Sequence, residues 1–545
     1  MRIANLCPSS VALTVTRNQE AFLPRVYPKR KVKCTKRRQL LSTRYPRSLQ
    51  VKAEVFVQNG NPSVYDSVEY PLSRQQAEDT WNRTWYPVFN TADLDTTRPH
   101  SVTLLGRELV VFLGGDGEWK CLEDRCSHRL APLSEGRVTD GELMCSYHGW
   151  QFNGCGKCTR IPQIINKAAE GTSCRSSRSS VATFPVSVAC GMIWVFPDNT
   201  SPPGEKPFIP KAIHEYLEER PSARFFMRDL PYGHDILLEN LLDPSHLPFS
   251  HHGVGGLNRA NMTQGHGMQL VTDVDEIEAL TSNDPTCIAR TMYPMGTPGN
   301  MDGVLEFKGP HFVGYKYHLG EERYSQVMLY AVPTVPGQSR VMLLNIFPKS
   351  PPFQATVAGI QRLLFTVIIK SIFKLFPYKA HMFDHAIFDG DGVFLTRQQN
   401  TLYREGRSWK SAYYCPSLAD SMVIAMRKWY DEHGMDGQPL WHGPAGVPRR
   451  PVAQEEVLDR YNQHTKHCAV CKGGLRRLKG IQLGATIAAV TCWFAFICAC
   501  ISNTAPAGIK AAAFLLTALS LAVWNAIRKE IQTFYFVGYD HSTKD

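Results

Sequence analysis

At 545 residues the chain is too long for a single hydrophobic core, so two or more domains are expected. Its net charge of +11 would suit nucleic acid or an anionic membrane, but residues 1–50 hold 12 of the Lys/Arg against one acid, Glu20, which leaves 48 of each sign in the rest. The body therefore has no basic excess, which argues against a nucleic-acid binder, and sixteen cysteines without a secreted-type framework point to reduced thiols and metal ligands.

Residues 1–50 are rich in Arg, Lys, Ser and Thr and contain no continuous apolar stretch. That composition predicts an organellar transit peptide, with a disordered basic tail as the alternative. Residues 81–200 follow with short β-patterned runs at 101–105, 108–112 and 119–122. Gly114-Gly115-Asp116-Gly117 marks a hairpin turn and 191–196 a closing strand, so a small all-β domain is expected. A Pro-rich linker spans 197–210.

Residues 208–446 mix patterns. Helical spacing appears at 237–252 and 384–404, and strand-like runs at 314–318, 325–332 and 341–347. Segment 359–376 is largely apolar yet carries Arg362, Lys370 and Lys374; from 363 onward it suits a helix lying in a membrane interface. The whole reads as an α+β domain. At the C-terminus, 481–501 and 511–527 are apolar runs separated by 503–508 with Pro506. The first is long enough for the ~30 Å hydrocarbon core of a bilayer, and the pair predicts a transmembrane helical hairpin; two buried helices of a soluble domain are the alternative. Arg476, Arg477 and Lys479 precede it and Arg528 and Lys529 follow it, which places both ends and the protein's bulk on the Lys/Arg-retaining face.

Two constellations carry chemistry. Cys126-Ser-His128 and, sixteen residues on, Cys145-Ser-Tyr-His148-Gly149-Trp150 form two loops, each offering one thiolate and one imidazole. A Rieske centre needs two Cys on one iron and two His on the other, and neutral imidazoles raise its potential above that of all-Cys clusters. A structural Cys₂His₂ zinc site is the alternative, but both side chains of a Cys-x-His loop converge awkwardly on one ion. Cys155 and Cys158 form a further CxxC, read as structural or incidental.

The second constellation is Asp243-Pro-Ser-His246-Leu-Pro248-Phe-Ser-His251-His252. Two imidazoles five residues apart suit two neighbouring positions of a two-His-one-carboxylate Fe(II) site, which leaves positions open for O₂. Pro248 predicts a break in any regular helix through them. His252 is a weaker alternative ligand. Asp389 and Asp391, further along, are the carboxylate candidates, with a solvated loop as the reading for whichever is not used. Asp243 is three residues before His246 and suits a hydrogen bond that orients a ligand imidazole.

Together these residues resemble the Rieske non-haem iron oxygenases over about 84–404. The resemblance implies an N-terminal all-β Rieske domain, a helix-grip catalytic domain, a [2Fe–2S] cluster on Cys126, His128, Cys145 and His148, and iron on His246, His251 and a carboxylate. The spacing to Gln399 in related enzymes favours Asp391, and Asp243 becomes the bridge for electrons. It further implies O₂ as co-substrate, ferredoxin as donor and a homotrimer. The leader, the apolar hairpin and Cys468-Ala-Val-Cys471 within residues 459–475 look like the plastid branch, which includes pheophorbide a oxygenase, the protochlorophyllide-linked translocon component and the 55-kilodalton inner-envelope translocon protein. The expected activity is oxygenation of a chlorophyll-derived tetrapyrrole at a chloroplast membrane, with pheophorbide a ring opening favoured. Hydroxylation of a ring substituent is the alternative reaction. A non-catalytic redox component of the import machinery and a plain electron-transfer protein are the alternatives of another class. Cys468 and Cys471 are expected to meet thioredoxin; a structural metal pair, completed by ligands such as His464 and His467, or inert thiols are the alternatives.

Overall fold

The computed structural model describes residues 74–541 except 256, 262–267, 271–285, 294–300, 319–323, 348–366, 368–370, 436, 444–451 and 503. The expected transit peptide and most of segment 359–376 lie outside the described residues.

Short alternating strands make the first part of the chain. His100–Leu104, Arg107–Leu113, Trp119–Glu123 and Thr183–Phe184 form one antiparallel sheet. Tyr86–Asn90, Met192–Val195 and Val186–Ala189 form a second, and four strands between Arg137 and Arg160 a third. The turn at 114–117 closes as expected: Gly114 N–H donates to Glu118 O, and Gly117 takes a φ of 79° that a side chain would resist.

Strand Arg107–Leu113 shows what the two-residue period of a strand does. Leu109 and Val111 face one core; Val110 and Phe112 face another. The first core is large and continues into the catalytic region through Trp194, whose ring meets Tyr330 edge-on at 5.2 Å. The second is small and holds Leu133, Leu143, Phe152 and the thiols Cys126 and Cys145. One strand is therefore a wall common to both.

The catalytic region is built on a seven-stranded antiparallel sheet in the order Phe226–Leu230, Ser339–Ile346, Tyr324–Pro333, Phe312–His318, Met301–Lys308, Cys287–Tyr293, Met268–Leu270. The three strand-like runs read from sequence are its second, third and fourth strands; the remaining four strands were not anticipated. The mixed sheet-and-helix character agrees with the expected α+β class. Arg340 ties the regions together, donating to Asp229 Oδ1 at 2.6 Å and to the Val88 carbonyl at 2.6 Å.

Helical spacing at 237–252 resolves into three pieces: helix His234–Leu241, a 3₁₀ turn Pro244–His246 and a short helix Leu247–Ser250. Pro244 and Pro248 lack the N–H that a continuous helix would need. The opposite holds at 378–405. There a single 28-residue helix, Tyr378–Glu405, passes through Gly390 and Gly392, where a loop had been the alternative. A Cβ on Gly390 would lie 2.9 Å from Tyr539 Oη and 3.0 Å from His251 Nδ1, so the missing side chain allows the close approach.

Two helices, Ala469–Ile501 and Ala507–Gln532, end the chain and pack on each other. Only 11% of the most apolar window in each is buried. A core helix of a soluble protein would be covered, so their length and bare apolar surface suit a bilayer.

Because Trp194 is fully buried where the regions meet, Trp194→Ala should lower stability by about 3–5 kcal/mol. A thermal midpoint unchanged from the parent in detergent would contradict the shared core.

Candidate metal centres

The two Cys/His loops have matching backbones. Cys126 N–H donates to Ala131 O and Leu130 N–H returns to Cys126 O; Cys145 N–H donates to Trp150 O and Gly149 N–H returns to Cys145 O. The fourth residue after each cysteine is left-handed, Leu130 at φ 62° and Gly149 at φ 74°. Each loop thus turns its thiol inward and its imidazole outward. Cys126 and Cys145 are buried, whereas His128 is exposed and His148 half-buried. The two imidazoles meet at 4.6 Å between ring centroids, and His128 stacks on Trp150 at 4.7 Å with 5° between planes.

This donor set fits an iron–sulfur group. Burial, with Cys145 close by, pushes the Cys126 thiol up to about 11, so its ionised form needs a neighbouring cation. Desolvation, then His148 and Arg129, lower the His128 pKa, which keeps the imidazole neutral as ligation requires. Among the described residues, the sets whose donor atoms all fall within 4.8 Å of one another do not include these four, as a two-metal cluster but not a single zinc would have it. Cys155 is exposed, whereas Cys158 is buried and approaches Cys174 at 3.6 Å between sulfurs.

His246, His251 and Asp391 come together as the second centre, their donor atoms within 4.8 Å. Asp391 Oδ1 lies 3.3 Å from His251 Nε2 and 3.6 Å from His246 Nε2. His251 is fully buried, and neither ring nitrogen meets a hydrogen-bond partner. An orphaned imidazole costs about 1–3 kcal/mol, and a cation between it and Asp391 would remove that penalty. Burial alone would raise the Asp391 pKa, but the nearby His246 and His251 imidazoles and the hydrogen bond from Ser250 bring it below the usual value. Ser250 Oγ donates to Asp391 Oδ1 at 2.8 Å, and Tyr539 Oη donates to Ser250 O at 2.9 Å.

Asp389 faces elsewhere. It sits between two buried guanidiniums, Arg228 at 2.7 Å and Arg460 at 2.7 Å. His252 also turns away, its Nδ1 accepting the Arg259 N–H. Asp243 holds His246 through its backbone: its carbonyl accepts from His246 Nδ1, which leaves Nε2 toward Asp391. Its carboxylate Oδ1 caps the turn by accepting from Ser245 N–H, and Oδ2 stands 3.9 Å from His246 Nδ1. The side-chain hydrogen bond expected of Asp243 is thus made by its main chain instead, because the turn at Pro244 brings the carbonyl closer.

A cavity of about 720 Å³ opens on His246 and Asp391 of the triad, a volume suited to an organic molecule. Asp243, His246 and Asp391 line it beside Phe249, Phe394 and Tyr413.

Cys468 and Cys471, expected to meet thioredoxin, are 2% and 0% exposed. Neither of these two thiols reaches the surface, because both are enclosed between the helix Tyr378–Glu405 and the turn at 461–465. His381, which the sequence reading missed, is with them; so is His464, but not His467. The signal was present as His464-x₃-Cys468-x₂-Cys471, yet nothing local pointed 83 residues back to His381.

Residues 84–185 match the family model of the Rieske [2Fe-2S] domain. The chain is 31% identical to the chloroplastic pheophorbide a oxygenase of Oryza sativa subsp. japonica over 85% of each chain. It is 28% identical to that of Arabidopsis thaliana over 98% of each. It is also 30% identical to the chloroplastic flavonoid 8-hydroxylase 2 of Ocimum basilicum, over 85% of this chain and 86% of that one.

The two aspartates separate by experiment. Asp389→Ala strands two buried guanidiniums and should cost about 3–5 kcal/mol. Asp391→Ala should lose one iron per chain with a far smaller change in unfolding midpoint. Equal destabilisation of the two variants, with iron retained in both, would reverse the assignment.

Proposed function

The chain belongs to the Rieske non-haem iron oxygenases, in the plastid branch of pheophorbide a oxygenase, and from that premise we propose that it oxygenates a chlorophyll-derived tetrapyrrole, opening the ring of pheophorbide a. Its cofactors are a Rieske [2Fe–2S] cluster and a mononuclear iron. The observation that carries the reading is the convergence of His246, His251 and Asp391 at the head of a cavity, in a chain that also bears the two Cys/His loops.

In this reading Cys126, His128, Cys145 and His148 hold the cluster, and His246, His251 and Asp391 hold the iron. When bound, the cluster supplies single electrons and the iron supplies a place for O₂ to be activated. The chain's residues supply geometry and electrostatics. The outward imidazoles of His128 and His148 would leave a bound cluster open to an electron donor such as ferredoxin and to a neighbouring subunit. Asp243 is a positioning residue whose carbonyl fixes the His246 tautomer, and its carboxylate on the cavity wall would lie between His246 and a cluster held by a neighbouring subunit, should the chain form a ring of three. Ser250, held by Tyr539, orients one carboxylate oxygen of Asp391. The aromatic walls Phe249, Phe394 and Tyr413 suit a flat apolar substrate.

The relatives are chloroplastic, and the chain takes that location. The two bare apolar helices support membrane attachment, where a lipid-soluble pigment would gather. One observation favours a second reading: the flavonoid hydroxylase is as similar as the tetrapyrrole enzymes, so a flavonoid ring is the other substrate class.

Purified full-length protein, reduced anaerobically with ferredoxin and exposed to ¹⁸O₂ with pheophorbide a, should yield a linear tetrapyrrole carrying label. Labelled flavonoid with untouched pheophorbide a would select the second reading, and two irons per chain with no product would leave only electron transfer. His246→Ala should abolish turnover and keep the cluster's visible absorption. Asp243→Asn should retain both metal centres, with product formation slowed by about 10–100-fold; a wild-type single-turnover rate would remove its role.

A further inference from the structure

A third cluster of metal-binding side chains lies outside both centres. His381 is on the helix that carries Asp391, His464 is in the turn Tyr461–Thr465, Cys468 caps helix Ala469–Ile501 and Cys471 is in its first turn. All four are buried, and their donor atoms fall within 4.8 Å of one another.

Four of the six edges between these donor atoms match those of a zinc tetrahedron, and the other two lie within 4.8 Å. His381 Nδ1 and His464 Nε2 are 3.1 Å apart. His381 Nδ1 is 3.5 Å from Cys468 Sγ and 3.4 Å from Cys471 Sγ, and His464 Nε2 is 3.3 Å from Cys471 Sγ. Zinc bonds of about 2.3 Å to sulfur and 2.0–2.1 Å to nitrogen give edges of about 3.3 Å between nitrogens and about 3.6 Å between nitrogen and sulfur.

Hydrogen bonding alone does not account for the cluster. One imidazole nitrogen offers a single proton or a single lone pair, yet His381 Nδ1 has three neighbours at bonding range. His464 is also oriented as a ligand: its Nδ1 lies 2.5 Å from the Met227 carbonyl, to which it donates, leaving the Nε2 lone pair pointing inward. Asp93 accepts the Ala469 N–H at 2.7 Å and so fixes the loop that presents Cys468. A disulfide would take both thiols away from His381 Nδ1 and His464 Nε2, whereas two thiolates neutralise a divalent cation.

We propose that His381, His464, Cys468 and Cys471 bind one Zn²⁺ in a closed structural site that clamps the apolar C-terminal hairpin to the helix bearing Asp391. Four protein ligands leave no open position, so the ion holds structure and takes no part in turnover. The proposal does not depend on the substrate reading.

The test is metal analysis of the purified full-length protein in detergent, expressed with zinc present. The expected result is one zinc per chain beside three irons, and a zinc X-ray absorption spectrum with two sulfurs near ~2.3 Å and two nitrogens near ~2.0 Å. His381→Ala and Cys471→Ser should each lose the zinc while keeping iron. If those variants fail to fold, titration of the wild-type protein with a mercurial should release one zinc as the thiols react. Absence of zinc, zinc without sulfur neighbours, iron in its place, or a Cys468–Cys471 disulfide in the native protein would each overturn the proposal.

Discussion

Asp389 and Asp391 stand two residues apart on one helix, and each is buried against partners from distant parts of the chain. The iron-site geometry depends on that division. Asp389, clamped between Arg228 and Arg460, fixes the rotation and depth of the helix. Asp391 is thereby aimed at His246 and His251, which a proline-broken turn presents from the other side. Breaking a buried ion pair is costly because the remaining charge has nowhere to go. The helix therefore has one favourable seating, and the carboxylate of the triad inherits it.

Glycine completes the arrangement. Gly390, between the two aspartates, lets the helix come within reach of His251 and Tyr539, and Gly392 does the same beside Val457. Glycine costs a helix about 1 kcal/mol relative to alanine, and here that loss is exchanged for closeness at the site. The same two residues kept a loop open as the alternative within a helix-compatible stretch, since glycine flanking aspartate is also the composition of a turn.

What the sequence disclosed follows from how local each feature is. The Cys/His loops were legible because each pair of donors is separated by one or two residues and the loop backbone closes on itself. His246 and His251 were legible for the same reason. The choice between Asp389 and Asp391 leaned on family spacing, because helix rotation depends on arginines 161 residues earlier and 71 later. His381 was invisible, since only the folded chain carries it to Cys468 and Cys471. Four of seven catalytic strands went unread as well; Met301–Lys308, for instance, breaks its alternation with Gly303 and ends on a lysine.

The strand Arg107–Leu113, with alternate side chains in two cores, has a mechanical consequence. The portion bearing the Cys/His loops is not hung on a flexible tether, because moving it would pull Leu109 and Val111 out of the larger core as Val110 and Phe112 kept to the smaller. Carriers that swing a redox head between donor and acceptor need a hinge of exposed, weakly packed residues. Here the hinge position is a β-strand packed on both faces. Electron delivery in such a scaffold proceeds across fixed separations, its pace set by distance and driving force and not by the frequency of a domain's excursions.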